Sequence, residues 1–125
     1  MIKQLLLSTL AYLAAMQALA ADDPGRLYML GDATPAGWTN WHPYALDRVA
    51  LGVYVYEGGL TSGELKFTNE TGNWGTAFAP SANYQVGDGV TECAISADNT
   101  DDRKWRINTP GRYRVTVDLN GAPGL

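Results

Sequence analysis

The 125-residue chain has one cysteine, one histidine, two phenylalanines and fewer basic than acidic residues. Each scarcity removes a class of explanation. A lone Cys93 forms no internal disulfide; in the apolar stretch VTECAIS it reads as a buried thiol, with pairing to another chain as the alternative. A lone His42 would have to anchor any Ser-His-Asp or Cys-His arrangement, yet no serine lies in a nucleophile-elbow context and a mid-strand thiol is normally inert. Nine Lys and Arg face thirteen Asp and Glu, a formal net charge of −4. The one basic cluster, Arg103-Lys104-Arg106, directly follows Asp101-Asp102. Clustered positive charge of the kind that binds phosphates is therefore missing, and no nucleic-acid partner is expected. Sustained helical periodicity is also lacking beyond the first twenty residues.

Those first residues, MIKQLLLSTLAYLAAMQALA, carry Lys3, an apolar run from Leu5 to Ala15 and the small-x-small ending Ala18-Leu19-Ala20. The pattern predicts a secretory signal peptide over 1–20, cleaved after Ala20 or Ala21. A transmembrane helix needs roughly 20 apolar residues, and this run is interrupted by Ser8 and Gln17. No cysteine stands at the cleavage point for lipid attachment. The expectation is an exported protein, periplasmic, extracellular or associated with the outer membrane, with one domain over 21–125.

Within that domain the hydrophobic pattern has period two. LYML (Leu27 to Leu30) is a compact strand candidate closed by Gly31-Asp32. In VALGVYVYEGGL, Val53 and Val55 alternate with Tyr54 and Tyr56; in ELKFTN, Leu65 and Phe67 alternate with Lys66 and Thr68. VTECAIS is short and apolar, and KWRI sets Trp105 and Ile107 on one face. RYRVTVDL is the clearest strand, with Tyr113, Val115, Val117 and Leu119 opposite Arg112, Arg114, Thr116 and Asp118. Short strands, turn signals and no helices predict an all-β fold, an antiparallel β-sandwich or barrel.

Catalytic and metal chemistry find little footing. Glycoside hydrolysis needs two carboxyl groups across a cleft, which a domain with two flat faces rarely forms. DNTDD, Asp98 to Asp102, offers oxygen ligands for calcium but lacks the spacing, glycine and distal glutamate of an EF-hand, so a solvated turn is preferred. Asn69-Glu70-Thr71 matches the N-glycosylation pattern, which has meaning only in a suitable host. No enzyme activity, cofactor or metal is expected.

The four tryptophans separate into two kinds. Trp105 alternates with Ile107 and belongs to the core. Trp38, Trp41 and Trp74 lie in aperiodic segments rich in Gly, Pro, Asn and Thr, in loops long enough to be functional. They either fold back as lids or form a surface platform. A pyranose presents an apolar C–H face to a flat indole while its hydroxyls require polar neighbours, and Asn40, Asn69, Asn73 and Thr71 supply these. Lys66, alternating with core positions, is expected to point outward as a further donor.

In order and spacing, LYMLGDATPAGW, GVYVYEGGLTSGELKFTNETGNW and GRYRVTVDL resemble the starch-binding domain of the SusE and SusF outer-membrane proteins, over roughly Leu27 to Asn120. The resemblance implies an immunoglobulin-like β-sandwich that binds starch or malto-oligosaccharide without cleaving it, alongside outer-membrane glycan-uptake proteins. Residue by residue, Trp38 falls on the family's first aromatic, Lys66 on its basic position and Trp74 on its second aromatic. Asn69 or Asn73 fills the amide position, and Trp41 has no clear counterpart. The chain departs from the family in lacking a lipid-attachment cysteine and in having NGAPGL where the family continues into a final strand, which predicts an unpaired edge. The competing reading is a structural or adhesive extracellular domain whose tryptophans pack internally or against a protein.

Overall fold

The computed structural model describes residues 4–8, 12–16, 23–74, 77–80, 84–86, 90–93, 95–96 and 102–120. Among these residues the chain forms β1 (Gln4–Ser8), β2 (Tyr12–Met16), β3 (Tyr28–Leu30), β4 (Tyr44–Ala45), β5 (Asp47–Ala50), β6 (Val53–Leu60) and β7 (Gly63–Thr68). It continues through β8 (Ala77–Pro80), β9 (Tyr84–Val86), β10 (Val90–Cys93), β11 (Ile95–Ser96), β12 (Trp105–Ile107) and β13 (Gly111–Asp118). The all-β expectation holds. One sheet has the order β10-β1-β2-β13-β6-β5; the other runs β11-β8-β7-β12-β9, with β3 joined to β7 and β4 to β3. Pairing is antiparallel except for β2 with β13 and β9 with β12.

Period-two patterning decides which side chains are buried. Tyr113, Val115, Val117 and Leu119 are buried while Arg112 and Arg114 are exposed, as the alternation in RYRVTVDL requires. They share one apolar cluster with Tyr54, Tyr56 and Leu60 of β6 and with Leu65, Phe67, Trp105 and Ile107 of the second sheet. Trp105 is fully enclosed and meets Phe67 edge-on, ring centroids 5.3 Å apart. Burying a tyrosine leaves its hydroxyl needing a partner. The Tyr113 and Tyr56 hydroxyls donate to the carbonyls of Thr109 and Gly59, each at 2.7 Å.

Tyr54 donates instead to Asp23, a residue that the hydrophobic pattern does not single out. Asp23 also accepts from Arg48, from the Gly25 amide at 2.9 Å and from the Gly52 amide at 2.8 Å. Burial pushes the Asp23 carboxyl upward, but the donors from Tyr54, Arg48, Gly25 and Gly52 outweigh it and hold the group well below the ordinary carboxylate range. Burial, helped by Asp23, pushes Tyr54 up to about 12. This knot ties the start of the expected domain to the β5–β6 turn.

Two features were not anticipated from the sequence. The segment expected as a leader is paired: β1 and β2 form a hairpin, Leu5 opposite Ala15, and β2 lies beside β13 with Leu13 opposite Val115. β13 is therefore paired on both sides, by β2 and by β6. Lys66, expected outward, is buried at 1 % exposure. No described helix is long and apolar enough to cross a membrane. The cleavage residues Ala20 and Ala21, the acidic run Asp98 to Asp101 and the last five residues lie outside the described residues, as does the side chain of Cys93.

Candidate functional site

The loop after β3 is held in shape by short-range bonds. The Gly31 amide donates to the Gly37 carbonyl at 2.7 Å, and the Thr34 amide and hydroxyl both donate to the Gly31 carbonyl, at 2.9 and 2.7 Å. The loop is also pinned to the β6–β7 turn: Asp32 Oδ1 accepts the Glu64 amide at 2.6 Å, and the Thr61 amide donates to Ala33 at 2.9 Å. Gly31 has φ of +135°, and a Cβ there would lie 2.0 Å from the Glu64 carbonyl oxygen. Only glycine permits that approach. The closed loop delivers Trp38 to the surface on a fixed base.

A second clasp joins this loop to the one after β7. The Gly72 amide donates to the Asn40 carbonyl at 2.6 Å, and the Trp41 ring lies over Gly72, where a Cβ would come within 2.7 Å of the indole. Trp41 is 70 % exposed, so one face holds the clasp while much of the ring meets solvent. The consequence is that Trp74 comes to Trp38: ring centroids are 6.3 Å apart and the planes are tilted by 48°. Trp74 is 43 % exposed and Trp38 half-buried.

The two indoles line a hollow of about 370 Å³ with Asp102 and Lys104. This falls within the range of small-ligand sites, roughly 300–1,000 Å³. Lys104 Nζ donates to Asp102 Oδ2 and to the Asp102 carbonyl, both at 2.8 Å, and lies 6.0 Å from the Trp38 ring centroid. That separation is at the outer reach of a cation–π contact. Lys66 pairs with Asp102 Oδ1 from beneath. The hydrogen bond from Lys104 and then that from Lys66 lower the Asp102 carboxyl below its usual range. Asp102 has φ of +52°, unusual for a residue with a side chain. It sits between the two ammonium groups, and its own side chain is mostly exposed.

Of the residues singled out from sequence, Trp38 and Trp74 are brought together. Lys66 is a buried support and does not line the described hollow; the donor that lines it is the half-buried Lys104. Asn73 Nδ2 donates to Glu70 Oε2 at 3.2 Å, and the Asn69 carbonyl accepts Arg26 Nε at 3.3 Å. Asn69 Oδ1 is buried and finds no hydrogen-bond partner among the described residues. Neither amide is among the described lining of the hollow. Asp102 and Lys104 were missed because DNTDDRK reads as a solvated turn. The sheet register gives the signal that could have found them. Trp105 pairs with Leu65, and continuing by one residue sets Lys104 beside Lys66, a like-charge pair that needs an acid.

The chain matches no family model, no curated protein and no solved structure.

Proposed function

We propose that the chain is a non-catalytic domain that binds starch or malto-oligosaccharide, with Trp38 and Trp74 stacking on glucose rings and Lys104 and Asp102 engaging hydroxyls at the rim. The tilted indole pair over the polar-rimmed hollow carries this reading. Two coplanar rings would suit a flat, ribbon-like glucan. Rings tilted by 48° suit a chain that curves from one sugar to the next, as α-linked glucose does. An ionised Asp102 accepts hydrogen bonds from hydroxyls and Lys104 donates them, a combination suited to a neutral polyol. The downward shift of Asp102 is the opposite of what a proton-donating glycosidase acid needs.

The wider reading is an immunoglobulin-like β-sandwich of the SusE/SusF type, exported on the segment 1–20 and acting beside glycan-uptake proteins of the outer membrane. Its support is the ordered pattern of strands and aromatic loops, together with the apolar cluster drawn from both sheets. Calorimetric titration with maltoheptaose and with cellohexaose tests the ligand class. Binding of maltoheptaose with little response to cellohexaose is expected; silence with both sugars would favour a structural or adhesive role.

A further inference from the structure

A second hollow, of about 260 Å³, lies where the chain passes from one sheet to the other, lined by Tyr44, Asp47, Val49, Val55, Glu57 and Arg114. Leu46 is buried and its amide donates to the Leu27 carbonyl at 2.9 Å, which fixes the crossing. On one side of it, Tyr44 belongs to β4; on the other, Asp47 and Val49 belong to β5. The Tyr44 ring meets Tyr56 edge-on, with centroids 5.2 Å apart and planes at 85°, yet remains exposed. The contact restrains the Tyr44 ring while leaving it accessible from solvent.

The polar side chains around it are uncommitted. Asp47 pairs in register with Val55 and Arg114 with Glu57. The side chains of Asp47, Glu57 and Arg114 make no hydrogen bond or ion pair among the described residues. Carboxylates and guanidinium are planar groups that form paired hydrogen bonds, a geometry that fits two adjacent hydroxyls. Acceptors and a strong donor lie together, so a ligand of either charge would meet a repelling neighbour. A neutral polyol meets none.

We propose that this hollow is a second carbohydrate subsite, with Tyr44 as the stacking ring and Asp47, Glu57 and Arg114 as the hydroxyl partners, and that one long glucan chain engages both sites. The inference rests on the glucan reading of the Trp38–Trp74 site. Tyr44 follows Trp38 by six residues, so their backbones are at most roughly 22 Å apart. A polymer held at the first site is then presented to the second at high effective concentration, and the second contact strengthens binding without needing high affinity of its own.

Isothermal titration of the full chain with maltotriose and with long amylose tests this. The parent is expected to bind two maltotriose molecules and Tyr44→Ala one. Tyr44→Ala should weaken amylose binding at least about fivefold while changing maltotriose affinity at the remaining site less than about twofold. The exposed double variant Asp47→Asn, Arg114→Gln should reproduce both effects, and decides the matter if Tyr44→Ala fails to fold. Unchanged amylose affinity in these variants, with binding lost in Trp38→Ala, would remove the second subsite and leave the first intact. Retained binding in Trp38→Ala, Trp74→Ala with loss in Tyr44→Ala would sink the first site and keep the second. Absence of binding in the parent would overturn both.

Discussion

Trp105 and Trp74 are the same residue type put to opposite uses, one enclosed and one exposed. Trp105 is 0 % exposed, fixed in β12 between partners of the second sheet and touching Phe67; Trp74 is an exposed indole tilted against another indole at the rim of a hollow. In the first region the flanking residues alternate and the backbone is committed to a ladder. In the second the backbone is held by glycines and loop-to-loop bonds, and the side chain is partly exposed. A tryptophan's role here follows from what holds its backbone and what covers its ring. The hydrophobicity that both share does not distinguish them.

The largest expected effect lies on the core side. Trp105→Ala empties an enclosed aromatic position and should cost about 3–5 kcal/mol of unfolding free energy, read by chemical denaturation. Trp38→Ala, at a half-buried rim position, should stay within about 1 kcal/mol of the parent. Equal losses would erase the distinction between the two regions and make Trp38 a lid.

The Asp23 knot offers a sharper stability test, because it is polar and yet structural. Its folded-state carboxyl is held below the ordinary value, so the unfolded chain takes up the proton first as pH falls. The stabilisation is complete above the unfolded value near 3.9 and is lost as pH drops toward the depressed folded value. Asp23→Asn should cost about 2 kcal/mol at pH 7 and flatten the decline in melting temperature between pH 5 and pH 2. An unchanged acid profile would mean that Asp23 is not ionised and bonded in the folded protein.

The binding side should respond in the reverse sense. Truncating an aromatic anchor at a binding surface commonly costs about 2 kcal/mol, roughly thirtyfold in affinity. Trp38→Ala and Trp74→Ala should each reach that order in maltoheptaose titrations, with little change in folding. Smaller effects separate the two lysines. Lys104→Met removes the donor at the rim and should weaken binding roughly five- to tenfold, because hydrogen bonds involving charged groups contribute about 1.5–3 kcal/mol and water competes here. Lys66→Met exchanges a buried ammonium for an apolar chain of similar shape and reaches the hollow through Asp102. A loss of about threefold or less is expected, and a larger loss than for Lys104→Met would restore Lys66 as the direct donor.

That last contrast marks the limit of what was legible in the sequence. Alternation located the core side chains of β12 and β13 because those strands have one apolar and one polar face. The same rule misplaced Lys66. Period two tells which face a residue occupies but not whether another segment covers that face, and residues 102–104 bring Asp102 over it. Trp38 and Trp74 were legible as loop aromatics, but their meeting depends on Gly72 and the Asn40 carbonyl, a backbone contact between residues 32 positions apart. Asp23 and Tyr44 were invisible for a similar reason. Their partners come from distant strands, and neither interrupts a hydrophobic pattern.

The central claim is that the tilted indole pair is a sugar-stacking surface, and intrinsic fluorescence tests it most directly. Titrating the parent with maltoheptaose should shift or quench tryptophan emission in a saturable way. The Trp38→Ala, Trp74→Ala double variant retains Trp41 and Trp105 as emitters and should show no saturable change at the same concentrations, with its melting temperature close to that of the parent. A saturable change of equal size and affinity in the double variant, or none in the folded parent, would contradict the account.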